Sequence, residues 1–324
     1  MTHGPRRPEA HHLELTAGNL HGSFSTRHPA VVSVRPGDSI TFATLDGDWL
    51  TEVEVGPPAR HGAQWPHRRP GIDDGHALIG PVAVQGARPG MTLAIRVDDI
   101  QPGEWGWSRS GGRQVELDLA LGVESGPEHY LRWELDARDG IATSQDGHRV
   151  RMRPFLGVLG CTPAEPGLLS THPPRRTGGN LDCKELRVGS TLFLPIEVDG
   201  ALLMAGDGHA AQGDGEAGST AIECPMRSVT LTVDLLEDVS IDAPRAWTAE
   251  GWIAFGVAPT LDEAALRALG EMVTLLQERL GVPRKEALNL ASQTVDLRIT
   301  QLVNGVKGVH AVIEHAALAL LRER

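Results

Sequence analysis

The sequence predicts a mainly β fold, a β-sandwich/barrel-like body that closes with a C-terminal α+β portion. Three observations carry this class. Glycine and proline, 38 and 22 of 324 residues, punctuate short β-type runs over roughly the first 250 positions. Several of those runs alternate apolar and polar residues, the period of a half-buried strand. After Ala258 the period changes to helical.

Taken in order, residues 1–18 read as a polar N-terminal tail. MTHGPRRPEAHH has neither an apolar core nor a small-residue cleavage site, so it does not resemble a secretory signal. A β-rich catalytic region is expected over 19–258. VVSV at 31–34, RPGD, then SITFAT at 39–44 read as strand, turn, strand, because Pro36 presets the turn and Gly37 permits a positive φ. The same arrangement of basic residue, turn and strand returns at 88–97 and at 187–198, which hints at related sheets. GWSRSGG at 106–112 reads as a solvated loop, with Trp105 and Trp107 as exposed or half-buried aromatics. YLRWELDARDGIATSQDGHRVRM at 130–152 is a β-meander, its turns supplied by Asp139-Gly140 and Asp146-Gly147. The proline-rich 163–179 stretch is a long loop, expected near the site that follows it.

The α+β portion, 259–324, packs on the β region. Thr260 and Glu263 form a capping box, and Ala265, Leu269, Met272, Val273, Leu276 and Leu280 keep helical spacing until Gly281 and Pro283 stop it. A shorter helix over about 284–292 and the strand VDLRITQLV follow. The tail 311–321 reads as helix.

Composition limits the functions. A net charge of -12 repels phosphate backbones and acidic membranes, so no nucleic-acid or membrane partner is expected and a small ligand is favoured. No run of about 18 apolar residues is present to span a membrane, and the protein reads as cytoplasmic. Cys161, Cys183 and Cys224 show no C-x-x-C spacing and read as buried free thiols.

Chemistry concentrates in GDGHAAQGDGE, Gly206 to Glu216, flanked by Asp182 and Glu223. Acids and an imidazole packed so closely repel one another unless a cation or substrate gathers them. Asp207 and His209 are two apart, so extended backbone points both to one face. Carboxylate with imidazole suits zinc or manganese, and an oxygen-only set suits calcium or magnesium. Gly206-x-Gly208-x-x-Ala211 superficially matches a dinucleotide fingerprint, but the acids that follow would repel pyrophosphate. His21, in NLHGSFS, and Asp46, in FATLDGDW, end strand-like runs and are candidates to converge on the same place.

At these residues the chain resembles the acetamidase/formamidase family. The matching blocks are LHGSFSTRHPAVVSVRPGDSITFATLD, HALIGPVAVQGARPG, RPFLGVLG, HPPRRTGGNLDCKELRVGSTLFLPIEVDGALLMAGDGHAAQGDGE with TAIE, and VDLRITQLVNGVKGVHAV, in family order from roughly Asn19 to Val312. The resemblance implies hydrolysis of short-chain amides to a carboxylate and ammonia, a divalent metal, zinc and/or calcium, and a homo-oligomer, dimer or tetramer. Its motif positions fall on Asp182, Asp207, His209, Asp214, Glu216 and Glu223. Within that set we assign Asp182, Asp207 and His209, with His21 and Asp46, to the metal, and Glu216 and Glu223 to catalytic proton transfer. The loop 56–75 and GEWGW match no family block and point to a substrate other than formamide or acetamide. A noncatalytic β-rich protein that binds metal or ligand at the same acids, and a hydrolase of another C-N bond, are the alternatives.

Overall fold

Strands Thr92–Pro102 and Met226–Leu236 pair antiparallel and turn Leu93, Ile95, Val97 and Val229, Leu231, Val233 to one buried face, as period-two alternation requires. The computed structural model describes residues 7–56 and 59–323. Among these, the two strands lie within a nine-stranded sheet. Its order is Ala10–Leu13, Ser39–Phe42, Met226–Leu236, Thr92–Pro102, Thr191–Pro195, Arg245–Trp247, Gly251–Ala258, Lys307–Glu314, Val295–Gln301.

Against its buried face lies the sheet that carries the site, in the order Gly178–Asn180, Phe155–Cys161, Leu203–His209, Leu78–Val84, Leu20–His21. Leu156, Ile79, Val82, Leu203 and Ala205 from this sheet share one core with Ile40, Leu93, Ile95 and Leu231 from the other. Two sheets with a common apolar interior make a sandwich. A smaller sheet, Trp105–Ser110, His129–Asp136, Ile141–Ser144 and Arg149–Arg151, contains the expected meander.

The C-terminal portion has its own core. Helix Leu261–Leu280 is capped by Thr260, whose side chain accepts from Glu263 N, and ends at Gly281 with φ 68°. It buries Ala264, Ala268, Met272 and Leu276 against Val309, Ala311 and Ile313 of the large sheet. Gly256 makes the approach close, since a Cβ there would lie 2.1 Å from Ala264 O.

The structure departs from the sequence expectations at specific segments. Val32–Val34 and Ser39–Phe42 are strands joined by a turn, but they belong to different sheets: the first pairs with Leu78–Val84 and the second with Ala10–Leu13 and Met226–Leu236. Ala10–Leu13, inside the polar tail, is a strand. GWSRSGG is not a loop through its length, because Trp105–Ser110 pairs with His129–Asp136 and Trp107 is only 2% exposed. The tail is strand to Glu314 and helix only over His315–Arg322. Residues 311–314 complete a strand held on both sides by Gly251–Ala258 and Val295–Gln301, a pairing that local periodicity does not reveal.

Candidate active site

Strand Leu203–His209 runs beside Phe155–Cys161, and its end presents Asp207 and His209. Asp207 is not in plain extended backbone: its φ is 58°, in the left-handed region. The rotation turns its carboxylate toward the imidazole, with Oδ2 3.4 Å from His209 Nε2. Asp182 and Glu216 also take left-handed backbone, φ 49° and 47°. Such a conformation costs a non-glycine residue about 1–3 kcal/mol and persists where surrounding structure enforces it, most often at functional sites.

Glu223 arrives from a different direction. Its backbone bridges to both Trp107 and His209, and its Oε2 lies 3.1 Å from His209 Nε2 while Oε1 accepts from Ala221 N. The other imidazole nitrogen, Nδ1, is 3.0 Å from Gln212 Oε1 and 3.9 Å from Asp182 Oδ1. Gln212 is itself fixed by donating to Asp182 O. Asn304 donates to Asp182 Oδ2 and reaches Glu216 Oε2 at 3.5 Å. Asp182, Asp207, His209, Glu216 and Glu223 are all buried.

Burial and mutual charge set the protonation of this cluster. Burial pushes Asp182 up to about 7, against the attraction of His209. Burial and the neighbouring Asp182 carboxylate hold Glu216 well above the usual carboxylate range. Burial alone would lower His209, but Glu223 and Asp207 outweigh it and hold the imidazole well above its ordinary value. Asp207 goes the other way, because His76 and His209 overcome its desolvation.

The donor set suits a cation. Donor atoms of Asp207, His209 and Glu223 lie within 4.8 Å of one another, as do those of Asp182, His209 and Glu216. Asp182 Oδ1 is buried without a hydrogen-bond partner. The opposing strand leaves room only because residue 157 is glycine: a Cβ there would sit 2.6 Å from Asp207 Oδ2 and 2.7 Å from Asp182 Oδ1 and His209 Cε1. With Gln212 on Nδ1, the ring has Nε2 to offer a metal, the usual arrangement of a metal-bound histidine and its outer partner.

His21 and Asp46 are not brought into this cluster. His21 stacks on His28 at 4.0 Å beside Arg69 and Asp73, and burial pushes its imidazole down to about 4. Asp46 accepts from Leu50 N and from Trp107 Nε1 at 2.7 Å, so it braces a wall of the site. Asp214 pairs with Lys184 and Arg298 outside the cluster.

A cavity of about 190 Å³ opens onto Asp207, Glu216 and Glu223. Its walls include His76, Trp107, Arg109, His172, Asn180 and Asn304. Asn180 is 2% exposed and its Oδ1 has no hydrogen-bond partner, while its Nδ2 donates to His172 O. A wider cleft of about 630 Å³ shares Glu216 and Thr220 but holds neither Asp207 nor Glu223, so the smaller cavity is the one that meets the cluster. Gln212, Asn180 and Asn304 were not singled out from sequence. The first glycine of RPFLGVLG, Gly157, interrupting an apolar strand, is the one sequence signal of the close approach there.

The family model and the curated relatives agree on one group. A model of the Acetamidase/Formamidase family matches residues 10–171 and 164–248. The acetamidase of Mycolicibacterium smegmatis is 30% identical over 254 residues, 60% of this chain and 61% of that protein. The formamidase of Methylophilus methylotrophus is 27% identical over 252 residues, 61% of this chain and 60% of that protein. The chain thus spans about three fifths of the length of these curated relatives. A crystal structure of an acetamidase from Bacillus halodurans superposes with a TM-score of 0.82 at 29% identity, covering 95% of this chain and 99% of that one.

Proposed function

Because the chain belongs to the acetamidase/formamidase family, we propose that it hydrolyses a short-chain amide to a carboxylate and ammonia. The observation that carries this reading is the convergence of four buried carboxyl groups on His209 at a cavity of about 190 Å³. That volume is below the roughly 300–1,000 Å³ of sites for drug-sized ligands, which favours a small substrate.

Asp207, His209 and Glu223 are the residues we assign to hold a divalent cation, zinc by the chemistry of the set. This moves Glu223 from proton transfer, its role in the sequence reading, to ligation, and Asp182 from ligation to tuning. When bound, such an ion polarises an oxygen and lowers the pKa of a water toward about 7. Gln212 fixes the tautomer of His209 by accepting from Nδ1. Asn180 Oδ1, buried and free to accept, orients the substrate by receiving its amide N–H. Glu216 faces the cavity, and burial, with Asp182 beside it, keeps its carboxyl basic enough to take a proton from water and give one to the leaving amine.

Glu216→Gln is expected to lower kcat for ammonia release by about 10²–10⁴. Asn180→Ala is expected to raise KM about tenfold with kcat less affected, the worth of one hydrogen bond. Unchanged turnover in Glu216→Gln across a panel of linear amides would remove that residue from the reaction.

We also place the protein in the cytoplasm and assign it a homo-oligomeric state. Among the described residues no helix is long and apolar enough to cross a membrane. Leu297 and Ile299 are exposed on Val295–Gln301, an edge strand of the large sheet, and an edge of that kind is suited to pairing with a second copy. Sedimentation of the purified chain tests the assembly.

A further inference from the structure

We infer that the protein holds a second transition-metal ion, at Cys183, Glu185 and His310, separate from the amidase centre. Asp182 and Cys183 are consecutive but serve different groups. Asp182 looks toward His209, whereas Cys183 Sγ lies 3.2 Å from Glu185 Oε2, which in turn is 3.7 Å from His310 Nε2. The sulfur, nitrogen and oxygen all lie within 4.8 Å of one another. Donors held by one zinc at about 2.0–2.3 Å in a tetrahedron stand roughly 3.3–3.8 Å apart, so the two separations given are those of a site that closes with little movement.

The independent sign of a ligand is His310. It is 1% exposed, and its Nε2 has no hydrogen-bond partner. An orphaned nitrogen at such depth is costly, and here it points at Glu185. Its Nδ1 is 2.7 Å from Thr300 Oγ1, the second-sphere contact that holds a ligating imidazole in one orientation. Glu185 Oε1 is engaged by Arg298 at 2.9 Å, which leaves Oε2 for an ion. Arg298 also pairs with Asp214, so its charge is balanced locally. Glu185 and Arg298 are partly exposed and give a path to solvent.

One thiolate, one imidazole and one carboxylate favour zinc over calcium or magnesium, which take oxygen donors. On binding, the thiol loses to solvent the proton it now directs at Glu185 Oε2, and the sulfur takes the metal in its place. The ion would tie the segment bearing Asp182 to Lys307–Glu314, the strand that carries His310. This inference stands on its own residues and not on the amidase reading.

Cobalt(II) loading of the intact, metal-stripped protein tests it. The amidase cluster contains no sulfur, so a sulfur-to-cobalt charge-transfer absorption in the near ultraviolet reports only a thiolate ligand. The wild type should show that band, and His209→Ala should keep it. Cys183→Ser should lose it although Cys161 and Cys224 remain, and both Cys183→Ser and His310→Gln should bind one equivalent of zinc fewer than the wild type. A wild-type protein without the band, a band that survives Cys183→Ser, or equal zinc content in wild type and His310→Gln overturns the site. A protein that shows the band yet releases no ammonia from any amide keeps this site and removes the amidase reading.

Discussion

At Gly157 one carbon atom decides whether the site can assemble. A Cβ would stand 2.6–2.7 Å from atoms of three cluster side chains, closer than real contacts permit. Gly157→Ala should therefore keep the circular dichroism of the wild type while losing metal and ammonia release; full activity would show that the cluster does not close at that point. Gln212→Leu removes the outer partner of His209 and should weaken metal affinity by about 10–100-fold, read by competition with a chelator. The protonation pattern gives a further test. Asp182, lifted to about 7, binds its proton more tightly in the folded chain than in the unfolded one, and Glu216 and His209 are raised as well. For each of these groups the stability gained from the bound proton is lost as pH rises past the unfolded value toward the folded one. Asp207, shifted downward, loses its contribution only when pH falls below the ordinary carboxylate range. His21 and His310, both pushed down to about 4 by burial, act in the opposite sense between about pH 5 and about pH 8, so the cluster's share is read by difference. The metal-free Asp182→Asn variant should lose less melting temperature, or gain more, than the metal-free wild type on going from about pH 5 to about pH 8; an identical change in both proteins removes Asp182 from this balance.

Among the elements, helix Leu261–Leu280 was the most legible in sequence, because its cap, its stop and its apolar face are all local signals. The one contact the sequence hides is Gly256, where the strand meets the helix backbone. Gly256→Ala should destabilise by about 1–3 kcal/mol, as overpacking does, seen in a denaturant midpoint with ammonia release per folded molecule preserved, since no residue of the cluster lies on that helix. The meander was legible for the same reason, its turns being Asp-Gly pairs between alternating runs. The turn at Arg35–Asp38 was readable too, but its flanking strands diverge into different sheets, and only long-range pairing decides that. Trp105–Ser110 reads as a loop because of its polar residues, while Glu223 and His129–Asp136 supply its backbone partners from far along the chain.

For the whole molecule, the cluster was visible because acids, imidazole and glycine crowd one short run, a density that charge chemistry makes conspicuous. Gln212, Asn180 and Asn304 stayed hidden because uncharged amides raise no such flag and reach the cluster only after folding. His21 and Asp46 show the reverse case: both are buried polar residues at strand ends, yet packing directs one to His28 and the other to Trp107. The fold brings Asp182, Asp207, His209, Glu216 and Glu223 together from three separate stretches of chain, and the proposed reading is that Asp207, His209 and Glu223 hold a divalent cation while Glu216 moves protons in the hydrolysis of a small amide. Ammonia release from formamide, acetamide and propionamide, measured on the purified protein as isolated, after chelation, and after zinc is returned, tests this most directly. Activity should disappear on chelation and return with zinc; full activity in protein verified to be metal-free rules out a role for the cation.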